Sequence, residues 1–223
     1  MKFKVKAVMI DLDGTLIHTA PEIARAANVM LAALNLPNLT PKKVEKFIGE
    51  GAATLIARCL TQQLNAEPTQ ELLTTAKPLF FDAYAQIVAE SKPYPQVTQA
   101  LQLFKKMGLK LACITNKPTA FTIPLLEKSG LLPYFDVVVA GDTLQRKKPD
   151  PDQIFFVCEK FSILQSDAVL IGDSKTDIAA ARSAGCRIFA VPYGYNQGYS
   201  IDIDTVDALI PQLIDAIDLI ATD

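Results

Sequence analysis

The sequence has no C-x-x-C pair, a single histidine, no long apolar run and no excess of charge of one sign. Each lack excludes something. Cys59, Cys113, Cys158 and Cys186 stand far apart, which disfavours a zinc site or a redox dithiol. Apolar settings such as Leu111-Ala112-Cys113-Ile114 suit small core residues in a reducing compartment. His18 has no serine or cysteine nucleophile arrangement around it, so a linker or structural role is expected rather than acid–base work. No segment approaches the ~20 apolar residues of a membrane span. The basic start Met1-Lys2-Phe3-Lys4-Val5-Lys6 is followed by only Ala7-Val8-Met9-Ile10, too short for a signal h-region. With 22 basic and 24 acidic residues, the net charge is −2, and no basic stripe marks a nucleic-acid surface. A soluble cytoplasmic protein with neither nucleic acid nor membrane as partner is the default expectation.

Half of the 223 residues are apolar, enough to bury a sizeable core, and the length suits one large domain or a core with a smaller insert. Short apolar runs at residues 5–10, 110–114, 136–140, 168–171 and 187–191 predict buried strands of a parallel sheet. Helical patterns alternate with them. Val97, Leu101 and Phe104 share a face that Gly108 ends. Asp150 is expected to cap a helix with Pro151 in its first position and Gln153 closing a capping box. Asp177 to Ala184 predicts a short helix stopped by Gly185. The expected fold is α/β, a doubly wound parallel sheet.

Residues 17–92 break the alternation. Four helical stripes are visible: Ile23, Ala27, Met30 and Leu34; a segment started by Thr40-Pro41; Leu55, Ile56, Cys59 and Leu60; and Leu72, Ala76, Phe80 and Ile87. Residues 1–16 and 93–223 would then form the catalytic core and 17–92 a helical cap, joined through the stiff Lys92-Pro93-Tyr94-Pro95. An insert after the first strand overhangs the carboxyl edge of the sheet, where α/β sheets bind ligands. A lid moving on two linkers is expected; a rigidly packed bundle is the alternative.

The strongest local signal is Asp11-Leu12-Asp13-Gly14-Thr15, where an apolar strand delivers two carboxylates two residues apart before a glycine turns the chain. A strand-end turn with one capping aspartate accounts for less of it. Thr115-Asn116-Lys117, Lys148-Pro149 and Gly172-Asp173-Ser174-Lys175-Thr176-Asp177 follow later strands. Each alone is an ordinary turn, loop lysine or helix start with Ser174 as cap. At successive strand ends of one sheet they converge on one crevice. Asp11, Asp13 and Asp173 offer hard oxygen ligands, too few for a full cage, as suits Mg²⁺ completed by waters and a phosphate oxygen. Lys148 adds a positive charge, and Thr115 with the Asn116 N–H would cradle phosphate oxygens. One carboxylate attacks phosphorus while the other handles the proton.

These residues resemble the haloacid dehalogenase superfamily along essentially the whole chain, and more closely its phosphoglycolate phosphatase branch. The resemblance implies Asp11 as nucleophile, Asp13 as acid/base with its backbone carbonyl on the metal, and Thr115 in the phosphate-binding second motif. It further implies Lys148 as the cation of the third motif, Asp173 on the metal, and Asp177 supporting its waters. Phe47-Ile48-Gly49-Glu50-Gly51-Ala52, Gly141-Asp142 and Tyr193-Gly194-Tyr195-Asn196 resemble that branch in particular. His18-Thr19-Ala20-Pro21 and Gln96 depart from the family pattern, both in the linkers.

The expected activity is Mg²⁺-dependent hydrolysis of a small phosphorylated metabolite, 2-phosphoglycolate first, by a monomer or homodimer. Its carboxylate would need a cation, with Lys46, Arg58 and Lys117 as candidates. Alternatives are a phosphatase for a sugar phosphate such as N-acetylmuramic acid 6-phosphate, a mutase, and a non-enzymatic phospho-acceptor domain. A dehalogenase would not need the leaving-group acid that Asp13 supplies.

Overall fold

The computed structural model describes residues 2–222. In chain order the elements are β1 (Phe3–Lys4), β2 (Ala7–Ile10), β3 (Ile17–His18), α1 (Ala20–Ala33), α2 (Pro41–Glu45), α3 (Ala52–Thr61) and α4 (Gln70–Ala85). There follow β4 (Lys92–Pro93), α5 (Val97–Lys106), β5 (Lys110–Ile114), α6 (Thr119–Lys128), β6 (Val137–Val139), α7 (Asp152–Phe161) and β7 (Ala168–Gly172). The chain closes with α8 (Lys175–Ala184), β8 (Arg187–Ala190), β9 (Ala208–Leu209), α9 (Ala216–Leu219) and β10 (Ile220–Ala221).

Six strands form one parallel sheet in the order β6-β5-β2-β7-β8-β9. The fold is the expected doubly wound α/β. β2 is central, with Ile10 level with Cys113 of β5 and Ile171 of β7. The chain leaves β2 toward β5 and β6, then returns to β7 on the other side, which opens a crevice at the carboxyl end of β2. All four β2 residues are buried because both faces are covered. Val8 and Ile10 pack into one core with Leu111, Cys113, Val169 and Ile171. Ala7 and Met9 pack into the other with Ala112, Ile114, Ala168 and Leu170. The period-two alternation of side chains thus divides the strands between two apolar layers.

The four helical stripes of residues 17–92 are α1 to α4, and Thr40 caps α2 by accepting from Lys43 N. Their apolar faces, including Ile23, Met30, Ile56 and Phe80, are continuous with the first of the two sheet cores. The entering and leaving segments, β3 and β4, pair antiparallel, Ile17 with Pro93 and His18 with Lys92. The helical insert therefore stands on a short two-stranded stalk.

Several details differ from the sequence expectations. The strand expected at 5–10 is shorter, Ala7–Ile10, and a separate strand before it, Phe3–Lys4, pairs with Ile220–Ala221. β9 joins the sheet with two residues, too short to leave a periodic signal. The capping box at Asp150-Pro151-x-Gln153 does not form; Pro151 is itself the N-cap and α7 begins at Asp152. Gln153 is fully buried, and its amide donates to the Thr115 and Ala140 carbonyls (3.0 and 3.1 Å), which the strand ends leave open. Asp150 instead faces Arg146 at 3.6 Å.

Candidate active site

β2 ends at Ile10, and the Asp11 N–H still donates to the Ile171 carbonyl (2.9 Å), so the Asp11 side chain is carried by the middle of the sheet. Gly14 turns the chain at φ +91°, a conformation that L side chains disfavour. A Cβ there would also meet the Asp173 Oδ2 at 2.6 Å, so Gly14 admits the carboxylate from β7 as well as making the turn. Thr15 donates to Asp173 Oδ1 (3.0 Å) and the Tyr195 N–H to Oδ2 (2.6 Å). The loop after β8 thereby helps aim the carboxylate that follows β7.

Lys148 is 3 % exposed and has spent all three ammonium hydrogens: on Asp11 Oδ1 (2.7 Å), Asp177 Oδ1 (2.6 Å) and the Ile114 carbonyl (2.9 Å). Asp177, in the first turn of α8, also accepts from Ser174 N and Oγ through Oδ2 (3.2 and 2.6 Å). One oxygen each of Asp11, Asp173 and Asp177 lie within 4.8 Å of one another. The converging trio differs from the expected Asp11, Asp13 and Asp173. The Asp13 carboxylate turns instead to Lys117 Nζ (3.0 and 3.2 Å) and accepts from Thr19 Oγ1 (2.7 Å). Asp13, two positions from Asp11, shares its cavity but not its carboxylate cluster.

Burial raises the Asp11 carboxyl to about 7; Lys148 opposes the shift, and the charges of Asp177 and Asp13 add to it. Asp173 is raised well above the carboxylate range by burial and then by Asp11 and Asp177, against the Tyr195 N–H and the Thr15 hydroxyl. Burial disfavours the Lys148 charge, yet Asp11 and Asp177 hold it above the ordinary lysine value. Two buried carboxylates, Asp11 and Asp177, thus share one ammonium, with a third, Asp173, close by. An all-oxygen donor set with excess negative charge fits a hard divalent cation.

Asp11 and Asp13 open onto a cavity whose other core residues are Thr115, Asn116, Lys117, Pro118 and Phe121. The Thr115 hydroxyl accepts from Lys117 N (3.2 Å). Asn116 joins core and insert, its Nδ2 donating to the carbonyls of Gly49 (3.0 Å) and Lys148 (2.8 Å). The insert supplies Ile23, Ile48, Gly49, Gly51, Ala52, Leu55, Phe80 and Tyr84. Tyr84 accepts from Lys117 Nζ (2.7 Å) and packs edge-on against Phe121 at 5.0 Å; burial pushes its hydroxyl up to about 12. Tyr84 was invisible to sequence reasoning, being one aromatic in an apolar helical stripe. Thr15 and Tyr195 had a signal, since both lie in motifs already singled out.

Two of the three cations considered for a substrate carboxylate are committed elsewhere. Arg58 is buried and donates to the Leu64 and Phe47 carbonyls (3.0 and 3.2 Å) and to Glu50 (2.7 Å). Lys117 serves Asp13 and Tyr84, and Lys46 lies exposed beside Gly198, away from the cavity lining. His18 sits in the stalk, its Nδ1 3.1 Å from the Tyr94 hydroxyl and 3.2 Å from that of Tyr195. The Tyr195 hydroxyl also accepts the Thr19 and Ala20 N–H groups (2.8 and 2.9 Å) at the start of α1. Among the described residues, no helix is long and apolar enough to cross a membrane.

Residues 8–191 match the sequence model of the haloacid dehalogenase-like hydrolases. The chain is 46 % identical over 217 residues to a phosphoglycolate phosphatase of Nitrosospira multiformis, covering 97 % of this chain and 96 % of that one. It is 45 % identical over 213 residues to the phosphoglycolate phosphatase of Thiobacillus denitrificans, covering 95 % and 94 %. Among solved structures, a predicted phosphoglycolate phosphatase from Haemophilus somnus superposes with a TM-score of 0.90 at 32 % identity, over 96 % of this chain and 97 % of that one.

Proposed function

The chain belongs to the haloacid dehalogenase-like hydrolase family and is a phosphoric monoester hydrolase; from that premise we propose that it hydrolyses 2-phosphoglycolate to glycolate and phosphate through an aspartyl-phosphate on Asp11. The observation that carries this reading is the Asp11 carboxylate at the centre of the sheet edge, gripped at one oxygen by Lys148 and opening onto the cavity beside Thr115 and Asn116.

In the first step an Asp11 oxygen attacks phosphorus and the bond from phosphorus to the ester oxygen breaks. Asp13 gives its proton to the departing glycolate oxygen. In the second step Asp13 takes a proton from a water that attacks the acyl phosphate, releasing phosphate and restoring Asp11. Lys148 fixes the Asp11 carboxylate against rotation and places a positive charge beside it. Thr115 and the Asn116 N–H receive the phosphoryl oxygens. Asp11, Asp173 and the Asp13 carbonyl would hold Mg²⁺, with Asp177 supporting its waters; bound there, the ion would offset phosphate charge that otherwise repels an anionic nucleophile. The segment 17–92 acts as the cap over residues 1–16 and 93–223, setting which ester enters.

The insert wall supports a small substrate without many hydroxyls. Ile23, Ile48, Leu55 and Phe80 offer a sugar ring no hydrogen bond, and the alternative of a sugar phosphate would leave its hydroxyls unpaired there. The test is a panel of phosphomonoesters with Mg²⁺, comparing kcat/KM. The value for 2-phosphoglycolate is expected to exceed that of any sugar phosphate by roughly tenfold or more. A sugar phosphate winning by that margin would overturn the substrate assignment and leave the phosphoryl chemistry standing.

A further inference from the structure

Five cations bear on how a substrate carboxylate would be met, and four are accounted for. Lys148 serves Asp11 and Asp177, Lys117 serves Asp13 and Tyr84, Arg58 is tied to Glu50 and two carbonyls, and Lys46 projects beside Gly198. Lys147 is the fifth. Its ammonium lies against the backbone of Gly51, the insert residue that faces Asn116 across the cavity wall. A Cβ on Gly51 would collide with the Lys147 Nζ and come within 3.2 Å of the Asn116 carbonyl, so a side chain there would displace the lysine from this position. Among the described residues the Lys147 ammonium has neither an ion pair nor a hydrogen bond. The nearest candidate acid is Glu50, but its Oε1 is already taken by Arg58 (2.7 Å) and Gln197 (2.6 Å).

An ammonium held half-buried without a counter-ion is unfavourable, and burial does depress Lys147 below the ordinary lysine value, with Glu50 opposing. An incoming anion would relieve that cost. The phosphate end of the substrate is met by Lys148 and the strand-end groups, which leaves the other end to be matched.

We propose that Lys147 is a specificity-determining residue, its ammonium pairing with the carboxylate of the substrate at the junction of Gly51 and Asn116 while the phosphate lies at Asp11. This rests on the reading of the substrate as 2-phosphoglycolate. It assigns to the core loop before Lys148 a task that the sequence suggested for Lys46, Arg58 or Lys117.

The experiment compares kcat/KM for 2-phosphoglycolate and 2-hydroxyethyl phosphate, an ester of equal length with a neutral hydroxymethyl in place of the carboxylate. Wild-type enzyme, Lys147→Met and Lys147→Arg are measured with saturating Mg²⁺; Lys147→Gln replaces the methionine variant should that one not fold. The wild-type preference for the carboxylate substrate is expected to shrink by roughly tenfold or more in Lys147→Met, mostly through KM, and to be largely retained in Lys147→Arg. A preference that survives in Lys147→Met within about threefold, or an equal loss on both substrates, overturns this inference alone. A wild-type enzyme with no preference overturns it together with the phosphoglycolate reading.

Discussion

The two walls of the cavity are built by different means. On the sheet side, the polar groups sit at strand ends, in the loops beyond them or in the first turn of a helix, and they are held by other polar groups. Lys148 bridges Asp11 and Asp177, Thr15 and the Tyr195 N–H aim Asp173, and Gln153 ties the ends of β5 and β6. On the insert side, the wall is mostly the apolar flank of α1, α3 and α4, and Tyr84 reaches from it into the core. The sheet wall can be rigid because ladder hydrogen bonds fix the backbone beneath it. The insert wall is positioned by packing, by the Asn116–Gly49 and Gln197–Glu50 bonds, and by a two-residue stalk. The two walls are thus differently constrained, so damage to each should look different.

The hardest break comes on the sheet side. Asp11→Asn removes the proposed nucleophile while keeping its shape, and phosphate release with Mg²⁺ is expected to fall by more than roughly 10³-fold. A variant that keeps full turnover would end the aspartyl-phosphate mechanism. Lys148→Met should come next. It leaves Asp11 and Asp177 buried without their ammonium, and breaking such a pair costs about 3–5 kcal/mol. Urea unfolding without divalent cations should show that loss, along with severely reduced turnover. An unaltered unfolding midpoint would mean that the two carboxylates find other relief.

The same carboxylates predict a pH dependence of stability when no cation is bound. The Asp11 carboxyl lies at about 7 in the folded chain against 3.8 in the unfolded one. Between those values the folded state holds the proton more tightly, so its stabilising contribution is full at low pH and is lost as pH rises toward 7. The swing is on the order of 4 kcal/mol. Thermal unfolding in a chelator should therefore show falling stability from about pH 4 to pH 7, flatter in Asp11→Asn, with added Mg²⁺ restoring stability at the upper end. Asp177 keeps Lys148 paired in that variant. A chelator profile that is flat in the wild type would contradict the burial argument.

How far each wall was legible in the sequence follows from the same contrast. Five apolar runs located the central strands, and the acidic, threonine and lysine residues just beyond them located the sheet wall, because a strand end has one place to put its next side chain. Asp13 shows where that logic stops. Its spacing from Asp11 is visible, but its turn toward Lys117 and Thr19 depends on a lysine 104 residues away. Gln153 looked like a cap because local sequence suits one, and burial beneath two open carbonyls won. The insert wall was legible only as helices. Which residues of a helical stripe face a cavity, and which face the core, is decided by packing against partners distant in sequence.

Tyr84 offers the finest test, since its side chain is a point where the insert wall touches the polar network of the sheet wall. Its hydroxyl accepts from Lys117 Nζ, and the same ammonium grips both Asp13 oxygens. Tyr84→Phe deletes only that oxygen and keeps the ring that packs on Phe121 and Phe80. If the insert merely fills space, the change should be near silent. If the insert also sets how Lys117 holds the acid, kcat should fall by about tenfold with KM little moved, since one buried hydrogen bond to a charged group is worth roughly 1.5–3 kcal/mol. The reverse split, with KM raised and kcat preserved, would place Tyr84 with the substrate rather than with the proton carrier, and would shift the boundary between the two walls by one residue.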